Sequence, residues 1–271
     1  MALEFSDWID TRFDLPPVNV PDLRHYRDNP EGAAIALRTH WGLGDKPISS
    51  MVGLLESKGV RVFSLAEDCR EIDAYSFWQG ETPLVFLNTL KSSERSRFDA
   101  AHELAHLVIH RHGGTPDRSE EREANAFAGA FLMPGTSIRA FAPKRLVTIP
   151  KLIEAKHIWN VSLSALVYRM HELKLISDWQ YHALLRDIST KGYRTAEPES
   201  APREQSQVFP KIFEALRADG IGKREVAAEF GWDIDELNAL VFNLILSSVR
   251  GGGADATTSS PRSRNNLRLV K

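Results

Sequence analysis

Three short runs, VRVFSL, IDAYSFW and TPLVFLN, concentrate β-branched and aromatic residues between positions 60 and 88. They predict strands, with a Gln79-Gly80 turn joining the last two into a small, largely antiparallel sheet. Helical spacing marks most of the other segments that are not lead-in, linker or tail. Asn29-Pro30 starts one, with proline at the tolerated first position, and Gly42 and Gly44 end it. ISSMVGLLESKG after Pro47 is a second, closed at Gly59. A long helix begins near Ser92 or Ser93 and runs to the Gly113-Gly114 break, and Asp117-x-x-Glu120 has the form of a capping box for the next, which ends at Met133-Pro134.

From about Pro150 the pattern is helical throughout: IPKLIEAKHIW, a turn at Asn160 and Val161, SLSALVYRMHELKLI capped by Ser162, then DWQYHALLRDIS. The expected organisation is an extended lead-in over residues 1–28, a core domain over 29–142, a helix-turn-helix-like unit over 143–193, a polar linker over 194–207, a helical unit over 208–250 and a disordered tail over 251–271. The fold class is α+β.

Composition narrows the chemistry. A net charge of −2 over 271 residues gives no global basic field for nucleic acid or anionic membrane. The N-terminus is acidic where a signal peptide is basic, and LNALVFNLIL is too short to span a bilayer. One cysteine, Cys69, excludes intramolecular disulfides and thiolate metal clusters. These features fit a cytoplasmic protein without membrane association, whose metal, if any, is held by histidine and carboxylate.

AAHELAHLVIHRH, residues 100–112, supplies such ligands. His102 and His106 are four apart on a helix, so both imidazoles leave one face and can reach one ion. Glu103 between them takes the general-base position of HExxH. His112 stands where a metzincin places its third ligand, but that pattern needs glycine at Ile109, so the helix continues and carries His112 past the site. His110 is about 12 Å along the axis from His102, too far to share its ion, and both later histidines read as helix-end residues facing terminal carbonyls. A third ligand must come from the next helix, which offers Glu120, Glu121 and Glu123. Glu123 heads a stripe with Ala126, Phe127 and Ala130, and Glu121 a comparable one with Ala124, Asn125 and Ala128. Periodicity does not separate them.

RSRFDAAHELAHLVIHRH followed by EREANAFAGAFLMP resembles the ImmA/IrrE family of zinc metallopeptidases. Phe86-Leu87-Asn88, the Arg95-x-Arg97-Phe98 lead-in, WNVS and GYRTAEPE extend the resemblance over about residues 20–200. It implies a zincin-like core, with Zn2+ held by His102, His106 and the glutamate before Ala124-Asn125, Glu123, and with Glu103 as catalytic base. Many members carry an XRE-type helix-turn-helix repressor domain ahead of the peptidase. Here FSDWIDTRFDLPPVNVPDL looks like the connector that follows such a domain, which implies a separate repressor polypeptide as substrate, cleaved to derepress stress or mobile-element genes.

The strand TPLVFLN is a candidate edge for an extended substrate. Tyr75, Tyr168, Arg169 and His171 are candidates for the second oxyanion donor. Two other classes of function compete: a regulatory or toxin–antitoxin protein with a structural ion, and a DNA-binding regulator acting through residues 145–175. Between Lys144 and Lys174 six basic residues (144, 145, 151, 156, 169 and 174) stand against Glu154 and Glu172, an excess that permits phosphate contact without demanding it. DIDEL at the start of the last helix puts carboxylates where a DNA reader needs donors.

Overall fold

The computed structural model describes residues 1–65, 73–111, 117–142 and 147–242. Cys69, His112, Lys144, Arg145 and the tail 251–271 lie outside the described residues. Those described form twelve α-helices and one three-stranded sheet, an α+β arrangement consistent with a zincin-like core followed by helices.

The strands are β1 (Arg61–Ser64), β2 (Ala74–Gln79) and β3 (Thr82–Leu87). The β2–β3 pair is the expected antiparallel hairpin, with Tyr75 opposite Phe86 and Ser76 opposite Val85. β1 joins the other side of β3 in parallel, Val62 opposite Val85, so the order is β1-β3-β2. β3 is therefore the centre of the sheet and not an edge. Its burial agrees, since Leu84, Val85 and Leu87 are wholly inaccessible. The edge beside the site helix is β2.

Against the sheet lies α4 (Ser93–Ala105), capped by Ser92, and it continues as a wider π turn over His106–His110 before Arg111 stops it in the left-handed region at φ 41°. The capping box of Asp117 and Glu120 starts α5 (Arg118–Leu132) as expected. Ala100, Ala101 and Leu104 of α4 and Ala124, Ala128 and Phe127 of α5 are fully buried, so small side chains let these two helices approach closely. α2 (Pro30–His40), capped by Asn29, packs on α5, and α3 (Met51–Ser57) leads into β1.

After the short α6 (Gly135–Phe141), α7 (Ile149–Trp159) and α8 (Leu163–Glu172) take the expected helix–turn–helix form, with Asn160 left-handed and Ser162 capping. Their apolar faces, Trp159, Leu166, Val167 and Met170, are core, and α9 (Asp178–Thr190) packs on them. Two of their basic residues also point inward. Lys156 is 1% exposed and paired with Glu94, and Arg169 is 2% exposed and clamped to both oxygens of Glu31 at 2.6 and 2.7 Å.

Two expectations are corrected by long-range packing. Residues 2–12 are not extended but form α1 (Ala2–Arg12), whose Phe5 and Trp8 stack among Phe209, Phe213, Phe230 and Trp232 of the C-terminal helices α10 (Val208–Ala218), α11 (Lys223–Phe230) and the turn before α12 (Ile234–Leu240). Residues 194–207 are polar yet bound to the body. Ser93 Oγ donates to the Pro202 carbonyl at 2.8 Å, Arg97 pairs with Glu204, and Ser206 donates to Glu56. Polar composition reads as a linker when its partners are distant in sequence. No helix among the described residues is long and apolar enough to cross a membrane.

Candidate metal centre

His102 Nε2 and His106 Nε2 face each other at 3.0 Å across one turn of α4. The carboxylate that meets them is Glu121, with Oε2 3.3 Å from His102 Nε2 and Oε1 3.6 Å from His106 Nε2. These three are the one group of potential metal-binding side chains found among the described residues. Glu123, which the family resemblance implied as third ligand, faces elsewhere: its Oε2 lies 3.0 Å from His110 Nε2. Two residues along a helix rotate a side chain by about 200°, so Glu121 and Glu123 cannot serve one point. Glu120 is already used, closing the capping box at the Asp117 amide (3.2 Å) and pairing with Arg27.

Hydrogen bonds fix both rings. His102 Nδ1 donates to Asn125 Oδ1 at 3.2 Å, one turn beyond Glu121 on α5, which leaves the His102 Nε2 lone pair for an ion. His106 Nδ1 contacts His110 Nδ1 at 2.9 Å. His110 is thus not a helix-end residue facing carbonyls. Those carbonyls have other donors: Trp78 Nε1 to Leu107 O at 3.1 Å, Leu23 N to Val108 O at 2.8 Å and Arg111 N to His106 O at 2.8 Å. Burial, reinforced by the neighbouring His102 and His110, pushes His106 down to about 3, so it is the neutral, ligating form near neutral pH.

Glu103 is 6% exposed and turns from the histidine face toward β2, where Ser76 Oγ donates to its Oε2 at 2.7 Å. Burial pushes Glu103 up to about 7; the Ser76 bond opposes this, and the charges of Glu121 and Asp99 add to it. A carboxylate titrating near the working pH is suited to accept a proton and return it.

Strand alternation decides which β2 side chains belong to the site. Ser76 and Trp78 reach α4 and its π turn, whereas Tyr75 stacks on Phe86 (4.5 Å) on the opposite face. Arg169 is occupied by Glu31, His171 by Asp178 at 2.6 Å, and Tyr168 bonds Glu172. Ser76 is the site residue that sequence reading does not single out. Glu121 is one of the three carboxylates that periodicity leaves open, Asn125 lies on its stripe one turn later, and His110 reads from sequence as a helix-end residue.

The donor set fits a tetrahedral metal. Ligands bonded at about 2.0–2.2 Å in tetrahedral geometry lie about 3.3 Å from one another, and the three edges here are 3.0, 3.3 and 3.6 Å. Two imidazole lone pairs aimed at each other beside a carboxylate repel unless a cation or proton lies between them. Glu121 is 46% exposed and His102 14%, so water reaches the group.

A sheet-backed HExxH helix, closed by one carboxylate from the next helix, defines a protein of the metallopeptidase class. Residues 55–171 match the peptidase M78 family model, described as the IrrE N-terminal-like domain, in line with the ImmA/IrrE resemblance of that segment. No curated protein matches the chain.

Proposed function

We propose that this chain is a zinc-dependent endopeptidase of narrow specificity in which His102, His106 and Glu121 hold the ion and Glu103 is the general base. The observation that carries the reading is the triangle of lone pairs on those three residues, with edges of 3.0–3.6 Å and a water-exposed carboxylate. Zinc bound there supplies an acidified water, its pKa lowered to about 7, and a Lewis acid for the scissile carbonyl. Glu103 Oε takes one proton from the attacking water as the new C–O bond forms, and delivers it to the amine nitrogen as the C–N bond breaks. Ser76 holds Glu103 in place for both transfers.

The substrate proposed is a separately encoded XRE-type helix-turn-helix repressor, whose cleavage derepresses stress or mobile-element genes in the cytoplasm. This rests on the family resemblance. The edge of β2 opposite β3 suits an extended peptide, since Ser76 lies on that strand beside Glu103. A DNA-reading role for residues 145–175 is disfavoured, because the buried Lys156 and Arg169 spend their charges on Glu94 and Glu31.

The test is Glu103→Gln with a repressor encoded beside this gene. The variant is expected to retain one zinc per chain and to cleave at least about 10²-fold more slowly. Cleavage at the wild-type rate would remove the mechanism. A stable complex that neither protein version cleaves would favour a partner-binding role with a structural ion.

A further inference from the structure

Glu123 and His110 form a contact that a three-ligand metal site does not require. His110 is 4% exposed, on the π turn directly after the HExxH segment, and both of its ring nitrogens are engaged. Nδ1 is 2.9 Å from His106 Nδ1, and Nε2 is 3.0 Å from Glu123 Oε2.

The protons in this chain can be assigned by elimination. One hydrogen must lie between the two Nδ1 atoms, since two lone pairs at that distance repel and two N–H groups clash. If His110 were the donor, its Nε2 would carry a lone pair pointed at the Glu123 carboxylate. With His106 as donor, His110 carries its proton on Nε2 and donates it to Glu123. Of the two arrangements with a neutral His110, only the second satisfies both contacts. It leaves His106 with its proton on Nδ1 and a lone pair on Nε2, the atom that faces His102 and Glu121.

We propose that Glu123 and His110 are positioning residues: a carboxylate–imidazole relay that locks His106 in its ligating tautomer and orientation and so sets metal affinity. The Nδ1 atom of His102 meets a neutral group, the Asn125 amide oxygen. His106 Nδ1 is linked through His110 to the Glu123 carboxylate, which fixes the ring by a chain of two contacts. The glutamate implied as a ligand by resemblance thus acts on the metal through two rings. This inference rests on the metal site proposed above.

The experiment measures zinc affinity of the full chain, stripped of metal, by competition with a chromophoric chelator, alongside thermal melting of each variant. His110→Phe and Glu123→Leu are expected to keep one zinc per chain and bind it about 10–100-fold more weakly. His110→Gln, whose amide oxygen accepts from His106 and whose amide nitrogen donates to Glu123, should remain within about threefold of wild type, as this isofunctional replacement preserves both contacts. In the metal-free wild type, long-range 1H–15N spectra should show a pyrrole-type Nδ1 and a pyridine-type Nε2 for His106, a readout that needs no variant to fold.

The reverse tautomer, or unchanged affinity in both His110→Phe and Glu123→Leu, would overturn the relay and leave the metal site standing. If Glu123→Leu abolishes binding while Glu121→Ala retains it, Glu123 is a ligand and the relay is wrong. If His102→Ala and His106→Ala both bind zinc as wild type does, the metal site itself is wrong.

Discussion

Ser76 Oγ donates to Glu103 Oε2 at 2.7 Å, a hydrogen bond that links the edge strand β2 to the carboxylate of the HExxH helix. The bond favours the ionised form, against a burial that pushes Glu103 up to about 7. Removing it raises Glu103 further. In Ser76→Ala the acidic limb of the kcat/KM profile should therefore move to higher pH, by about half a unit to one unit, with activity at pH 6 falling more than activity at pH 8. A limb that stays in place, or moves to lower pH, would show that Glu103 does not set it.

Lys156 offers a test of the packing behind the site. It is 1% exposed, its Nζ is 3.0 Å from Glu94 Oε1 and 3.5 Å from Glu197 Oε1, and Glu94 also accepts from Ser200 Oγ and the Ala201 amide. Lys156→Met strands two carboxylates in the interior and should cost about 3–5 kcal/mol in urea unfolding. Adding Glu94→Gln to that variant should recover part of the loss, because the uncompensated charge and not the missing pair is the main cost. No recovery would mean that the pair contributes chiefly through shape.

The pairing of His102 with His106 was legible because its geometry is local. Four residues on one helix fix the relation of the two whatever surrounds them. The carboxylate that meets them was not, since Glu120, Glu121 and Glu123 share one turn and differ only in rotation about its axis, which the packing of α5 on α4 decides. Family pattern pointed to Glu123, whereas the structure turns that side chain to His110 and brings Glu121 to the pair. β3 read as an edge for a similar reason: its second neighbour, β1, pairs in parallel from about twenty residues upstream, and no turn signal marks that contact. The body of residues 194–207 reads as linker because its carboxylates and hydroxyls are satisfied by Arg97, Lys156 and Glu56, far off in sequence.

The N-terminal helix has the same distant logic. Phe5 is fully buried, with ring centres 6.1 Å from Phe209 and 6.4 Å from Phe213 and edge contacts to Phe230 and Trp232. Phe5→Ala should destabilise the protein by about 3–5 kcal/mol. Hydrogen exchange should then show α1, α10 and α11 losing protection together, and α4 least affected. Loss confined to α1 would mean that the C-terminal helices hold without it.

Glu56 gives the stability a pH dependence of its own. The carboxylate is 4% exposed and accepts from Ser206 Oγ and, at 2.7 Å, from the Gln207 amide. Burial still pushes it up to about 7 from an ordinary 4.5. Between those values the folded protein holds a proton that the unfolded chain has released, so the contribution is complete below about 4.5 and lost as pH rises through about 7. At about 1.4 kcal/mol per unit, the loss across this window is on the order of 3 kcal/mol. Glu56→Gln keeps an acceptor for the Gln207 amide and cannot ionise. Urea unfolding of both proteins from pH 5 to pH 8 should therefore find them close at pH 5 and the variant increasingly the more stable as pH rises. A stability difference that does not change with pH would mean that Glu56 is charged in the folded state throughout. One that changes in the opposite sense would mean that its hydrogen bonds outweigh its burial.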